Sequence, residues 1–204
     1  MAVPAKHSEL PTTQGEFETW CAACDAIDDN RYEFLYGCVV AEPPARWPHG
    51  RIDGSIAYRL GAHVEPRGLG LVIGSSQGFA LPSGDTVQPD TAVILHDTWA
   101  AAPPPVPNRF LTVVPDLVVE ILSPSTARRD LRVKRDIYER NGVREYWIVD
   151  PPRRAVTVLV AGAGGRFTSE RTVVGDEPAQ SMLLPGFSLR PSEIIPQSRH
   201  PYPA

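Results

Sequence analysis

Three carboxylates in this chain stand where burial makes a carboxylate costly. Asp116 and Glu120 interrupt an apolar run, VVPDLVVEIL (113–122), and Asp90 opens another, QPDTAVIL (88–95). Alternate residues of a strand share a face, so Asp116, Val118, Glu120 and Leu122 point the same way. At about 3.3 Å per residue, Asp116 and Glu120 lie roughly 13 Å apart, too far to share one small metal ion. A metal partner for Glu120 must come from another strand. Asp90 qualifies if a hairpin joins 87–95 to 111–122, and Asp116 is then a structural residue at the start of its strand.

The second unusual residue is Lys134. On a wheel of about 100° per residue, Ala127, Leu131, Ile137 and Tyr138 form an apolar arc with Lys134 near its middle. Arg128, Arg129, Arg132, Arg135 and Arg140 fall on the opposite, basic side. A buried ammonium needs an anionic partner, which could be Glu120, a bound phosphate or Asp130. Lys134 and Lys6 are the only lysines among 20 basic residues. A compact ammonium does proton and water chemistry that a guanidinium does not. Two carboxylates, a divalent metal and a lysine are what phosphodiester hydrolysis requires. Carboxylates hold Mg²⁺ through hard oxygen ligands, and the metal polarises the phosphate and acidifies a bound water. A lysine orients that water or neutralises developing charge.

These residues need a scaffold, and the pattern supplies one. Thr13 and Glu16 spell a capping box ahead of Phe17, Trp20, Cys21, Cys24 and Ile27, which predicts a helix over 14–28. RYEFLYGCVV (31–40) reads as extended. Ile52, Ile56 and Leu60 mark a second helix. LGLVIGSS, QGFALPSGD and TVQPDTAVIL are short strands, AAPPPVPN (101–108) is a surface loop, and LTVVPDLVVEIL (111–122) is a long buried strand. A helix begins at Ser123-Pro124 and ends at Asn141-Gly142. REYWIVD is a strand, and AVTVLV with GRFTSERTVV is a final hairpin. The pattern describes an α/β sandwich around one sheet, with one domain over 14–195 and flexible tails at 1–13 and 196–204.

Composition narrows the function classes. A chain of 204 residues that is 42% hydrophobic supports one full core, and a formal net charge of −4 excludes a generally basic nucleic-acid coat. No segment reaches membrane-span length and no secretory h-region precedes the domain. The three cysteines are an odd number, which argues against a disulfide scaffold and suits the cytoplasm. Cys21 and Cys24 supply half a zinc site at most, and their place on an apolar stripe makes them core fillers. His49 and His63 share a helix face with Ile52, Ile56 and Leu60, which points to packing or capping, with an approach to the site or the phosphate also open to His49.

The succession QPD, PDLVVEILSPST, a helix with a lysine, and GVREYWIVDP resembles the Uma-type restriction endonuclease family of the PD-(D/E)XK nuclease superfamily. The likeness runs from about Phe17 to Ser192 and is most specific over 113–151. It implies a restriction-endonuclease-like core, a mixed central sheet flanked by helices. Asp90 matches the superfamily's metal-binding aspartate and Glu120 its second acidic ligand. RYEFLYG resembles the family's early Arg-Tyr-Glu motif and so adds Glu33 as a third acidic residue. The superfamily's lysine position holds Leu122, and Lys134 matches the place on the following helix to which this family moves it. Cys38 stands where many relatives carry another acidic residue.

The resemblance implies a Mg²⁺-dependent endonuclease acting on DNA, with Mn²⁺ able to substitute. Its catalytic residues would be Asp90, Glu120, Lys134 and Glu33, its metal ligands Asp90 and Glu120. Arg128, Arg129, Arg132 and Arg135 would meet DNA phosphates, and a homodimer would serve two strands. Two other readings stand beside it. One is a catalytically weak or inactive nuclease-like module that binds nucleic acid or protein. The other is a metal hydrolase acting on small phosphate esters.

Overall fold

A computed structural model describes residues 10–24, 30–42, 44–123 and 127–196, with Arg128 described in its backbone alone. The capping box forms: Thr13 Oγ1 accepts from the Glu16 amide and Glu16 accepts from the Thr13 amide. It starts α1 (Gln14–Cys24), which buries Phe17, Trp20, Cys21 and Cys24. The expected end of this helix at 28, with Ile27, lies outside the described residues. The segment 31–40, expected to be extended throughout, is a hairpin of β1 (Arg31–Leu35) and β2 (Cys38–Glu42). Tyr36 and Gly37 both have positive φ, 53° and 76°, the requirement of a two-residue turn that follows strand twist.

Next come α2 (His49–Val64), β3 (Gly70–Gly74), β4 (Phe79–Ala80), β5 (Thr86–Val87), β6 (Thr91–Leu95) and α3 (His96–Ala101). The segment TVQPDTAVIL is not one strand. β5 belongs to a sheet ordered β2-β1-β5-β4, while β6 belongs to a second, central sheet. Gln88, Pro89 and Asp90 cross from one to the other, and Pro89 has no amide to continue a ladder. β7 (Leu117–Ile121) is shorter than expected, because Pro115 interrupts the apolar run and Leu111 makes only an isolated bridge to Phe79.

Helix α4 spans 127–141 in three parts: α-helical Ala127–Arg129, π-helical Asp130–Lys134 and α-helical Arg135–Asn141. Its predicted start at Ser123-Pro124 falls largely outside the described residues. It ends at Gly142, whose φ of +84° is left-handed. β8 (Glu145–Asp150), β9 (Ala155–Ala161), β10 (Phe167–Val174), β11 (Ala179–Gln180), β12 (Ser188–Leu189) and α5 (Pro191–Ile194) complete the chain. Of the predicted tails at 1–13 and 196–204, residues 1–9 and 197–204 lie outside the described residues.

The central sheet runs β10-β9-β8-β7-β6-β3. Among the described residues of this sheet only β7 and β8 pair in parallel, and α4 is the crossover that such a pair needs. α2 covers one face, packing Ile52, Ile56, Leu60 and Val64 over Val93, Leu117, Val119 and Trp147. α4 and the smaller sheet cover the other, where Ile137 and Tyr138 meet Ala92, Val118, Tyr146 and Leu35. α1 closes the outer side of the smaller sheet against Tyr32 and Phe34. The architecture is the expected mixed central sheet flanked by helices.

Edge strand β3 offers a test of the packing. A Cβ on Gly70 would lie 2.1 Å from the Ile94 carbonyl oxygen, whereas one on Gly74 meets nothing within 4 Å. Gly70→Ala should lower the unfolding free energy by about 1–3 kcal/mol, and Gly74→Ala by less than about 1 kcal/mol, measured by urea denaturation.

Candidate active site

The alternation of three strands sets the site. On β7, Leu117, Val119 and Ile121 face α2, so Val118 and Glu120 face α4. β6 pairs antiparallel with β7, Thr91 opposite Val119, and the next step brings Asp90 opposite Glu120. The Ile121 amide donates to Asp90 Oδ2 at 2.8 Å. On β1, Tyr32 and Phe34 pack toward α1, which turns Arg31, Glu33 and Leu35 inward. The four residues singled out from the sequence thus meet at the seam between the two sheets, under α4.

Their centre is Lys134. Its Nζ lies 2.9 Å from Glu33 Oε1 and 2.8 Å from Glu120 Oε1. Of the partners expected for it, Glu120 is engaged directly, and Glu33 on β1 joins it. Tyr138, one helical turn on, donates its hydroxyl to the same Glu120 oxygen at 2.6 Å. Glu33 Oε1 also accepts from the Gln88 amide at 2.7 Å. Its other oxygen is buried with no hydrogen-bond partner, 3.9 Å from Arg129 Nε. All four residues are buried, Glu33 and Lys134 to within 1%.

Asp90 has its own cations. His49 Nε2 stands 3.2 Å from Oδ2, and both Arg31 amines stand 3.4 Å from Oδ1. Of the two places open to His49, packing or the site, it takes the second and faces Asp90. Arg31 reaches onward to Glu42 at 2.8 Å. Arg129 binds the other Glu42 oxygen. The chain Asp90–Arg31–Glu42–Arg129 lies across the seam beside the Lys134 cluster.

Electrostatics follow from burial. Burial disfavours the Lys134 ammonium, but Glu120, Glu33 and Asp130 outweigh it and hold Lys134 above its ordinary value. It remains charged at neutral pH. Burial drives the Glu120 carboxyl well above its ordinary range, with the Lys134 charge opposing. Burial and then the Glu120 charge raise the Tyr138 phenol, so it stays an O–H donor. Burial also raises Asp90, but the hydrogen bond and charge of His49, with Arg31, more than offset it and hold Asp90 below its ordinary value. Burial lowers His49, and Asp90 more than restores it. Asp53, which accepts from Thr91 at 3.1 Å, is raised first by burial and then by Asp90. Among the described residues, six carboxyls at the seam (Glu33, Glu42, Asp53, Asp90, Glu120, Asp130) thus stand against three permanent cations, Arg31, Arg129 and Lys134, and one histidine, His49.

That surplus and the all-oxygen donor set suit a hard divalent cation, as does the unpartnered Glu33 oxygen. The side chains are nonetheless drawn to protein cations. Among the described residues no three His, Cys, Asp or Glu groups are gathered to hold a metal ion as they stand.

Other expectations resolve differently. Asp116 accepts from the Leu95 amide at 2.8 Å, Thr98 at 3.0 Å and Arg144 at 3.2 Å. It ties β6, α3 and the start of β8 together and does not join the cluster. On α4, Leu131 is 46% exposed, whereas Asp130 is buried. The wider π turn advances each residue by less than an α-helical step, which rotates Leu131 off the line of Lys134 while Asp130, one turn before the lysine, stays on it. Arg129, expected on the outer face, is turned inward to Glu42. Arg132 is exposed, Arg135 pairs with Glu170 at 3.3 Å, and the side chain of Arg128 lies outside the described residues. Cys21 and Cys24 are buried in the α1 core, and Cys38 is exposed. Sequence reasoning missed Arg31, Glu42, Asp53 and the hydroxyl of Tyr138. The i,i+4 spacing of Lys134 and Tyr138 was the one signal available for the last.

Comparison with known proteins places this geometry. A family model described as "Putative restriction endonuclease", Uma2, matches residues 15–192. No curated protein matches the chain significantly. Among solved structures, a "putative nuclease belonging to DUF820" from Anabaena variabilis ATCC 29413 superposes with a TM-score of 0.70 at 16% identity, over 90% of this chain and 97% of that one. At that identity the likeness is one of fold. The length of the family match, which takes in Glu33, Asp90, Glu120 and Lys134, makes this chain a member of the Uma2 family.

Proposed function

We propose that the protein is an endonuclease that hydrolyses DNA phosphodiester bonds at the seam between its central sheet and the four-stranded sheet of β1. The observation that carries the reading is the gathering of Glu33 and Glu120 around one buried ammonium, Lys134, with Asp90 opposite Glu120. Family membership supports it. Asp90 and Glu120 would hold Mg²⁺, or Mn²⁺ in its place, with Glu33 supporting them. The ion would supply Lewis-acid polarisation of the phosphate and a more acidic water.

The chain's own residues have distinct parts. Lys134, held as an ammonium, orients the attacking water and offsets charge on the phosphate; it is not a proton acceptor at neutral pH. Tyr138 fixes the Glu120 carboxylate. His49 and Arg31 keep Asp90 ionised against its burial. Arg132 and Arg135, with Arg128 and Arg129, supply cations for the DNA backbone. Pairing of two copies would present one site to each strand.

A second reading is favoured by one observation: every member of the cluster is buried and engaged with protein partners. On this reading the fold is a nucleic-acid-binding or interaction module with little catalysis. Among the described residues no helix is long and apolar enough to cross a membrane.

Nicking of supercoiled plasmid separates the two readings. Wild type should nick with Mg²⁺ or Mn²⁺, and Asp90→Ala, Glu120→Gln and Lys134→Ala should each lose about 100-fold or more. Breaking a buried ion pair costs about 3–5 kcal/mol, so each variant is first checked for folding by circular dichroism. An inert wild type, or variants that cut equally well, would sink the nuclease reading.

A measurement without turnover tests the ion directly. Mg²⁺ at about 100 times its dissociation constant should stabilise the wild type by about 2.7 kcal/mol in urea denaturation. Asp90→Asn/Glu120→Gln should gain none of this. Equal stabilisation of both proteins would remove these two residues as ligands.

A further inference from the structure

The cluster leaves one arrangement unexplained. Glu42, on β2, is buried to 5% and held between two guanidiniums that are themselves mostly buried. Arg31 takes Oε2 at 2.8 Å and Arg129 takes Oε1. Their side chains keep 24% and 18% of their exposure, against 6% for Glu42. Each arginine also reaches toward the proposed reaction centre, Arg31 to Asp90 at 3.4 Å and Arg129 to within 3.9 Å of Glu33. Arg129 Nε is buried without a hydrogen-bond partner. Two forks converging on one tetrahedral or planar anion is the geometry that recognises phosphate. A carboxylate that bridges two arginines occupies the same space with the same sign of charge.

We propose that Arg31 and Arg129 form a binding site for one backbone phosphate of the DNA strand, and that Glu42 occupies this site until the strand displaces it. The identity of the ligand rests on the nuclease reading; the arrangement of the site does not. β2 is the edge strand of the smaller sheet, paired on one side only, so Glu42 can leave without breaking a second ladder. A phosphate held there would lie beside both Asp90 and Glu33, and the two guanidiniums would neutralise it. Glu42 sets the threshold: a strand binds only if its phosphate outcompetes a tethered carboxylate.

The test is DNA binding in Ca²⁺, followed by fluorescence anisotropy with a fluorescein-labelled double-stranded oligonucleotide. Glu42→Gln should bind about tenfold more tightly than wild type, because the competing anion is gone. Arg129→Gln should weaken binding and reduce the slope of log affinity against log salt by about 1, the loss of one phosphate contact. A folding defect alone would not change that slope. The gain from Glu42→Gln should vanish in Glu42→Gln/Arg129→Gln, whereas a general reduction of negative charge would preserve it. Should Glu42→Gln fail to fold, Glu42→Asp, too short to span both forks, should show a smaller gain of the same sign. Unchanged or weaker binding by the folded Glu42 variant, a gain that survives in the double variant, or no DNA binding by any protein would overturn the proposal. Binding that follows this pattern without cleavage would leave the phosphate site standing and remove the nuclease reading. Cleavage by the wild type with a gain independent of Arg129 would do the reverse.

Discussion

A single ammonium organises this fold. Lys134 is buried with Glu33 on one side and Glu120 on the other, and those three side chains come from a helix, an outer sheet and a central sheet. Left alone, each charge would pay several kcal/mol for leaving water. Together they are tolerable only if all three elements stay in register. The apolar packing around them, Ile137 and Tyr138 on α4 against Val118 and Tyr146, gives the contact its strength. The charges make it specific: a slip of one residue in β7 would turn Glu120 toward α2 and strand the lysine.

The smaller sheet is therefore more than a cover. Its strand β1 presents aromatic residues to α1 and polar ones to the seam, so one strand serves a core and a charge cluster at once. The connection Gln88-Pro89-Asp90 is the hinge between the two sheets. Its proline prevents one long strand, and the aspartate after it lands where the sheets meet. Cations from three further places, Arg31, His49 and Arg129, then balance most of the carboxylates, leaving a net negative seam suited to a hard cation.

Much of this was legible in the sequence because the signals were contradictions. Carboxylates inside apolar runs and a lysine inside an apolar arc mark places where local preference yields to something else. Strand spacing set Asp116 apart from Glu120, and a hairpin between the two apolar runs was enough to bring Asp90 beside Glu120. Other features had no local signal. Tyr36-Gly37 lacks the Asn-Gly spelling of a hairpin turn, so two strands read as one. Glu42 looks like any exposed acidic residue, and its burial depends on arginines 11 residues before it and 87 residues after it. The wheel misplaced Leu131 and Arg129 because it assumed one helical step throughout α4.

That irregular turn has a consequence for comparing relatives. A π-helical turn holds more residues than the α-helical turn it replaces, so α4 accommodates its sequence by counting as well as by composition. Delete a residue between Asp130 and Lys134, and the helix can run regularly with the residues on either side still in phase. Two chains whose lengths differ by one in this segment can thus present the same lysine to the seam. Alignments of this helix should be judged by whether the spacing from Lys134 to Tyr138 survives, since a one-residue gap before the lysine removes the wide turn without moving the ammonium.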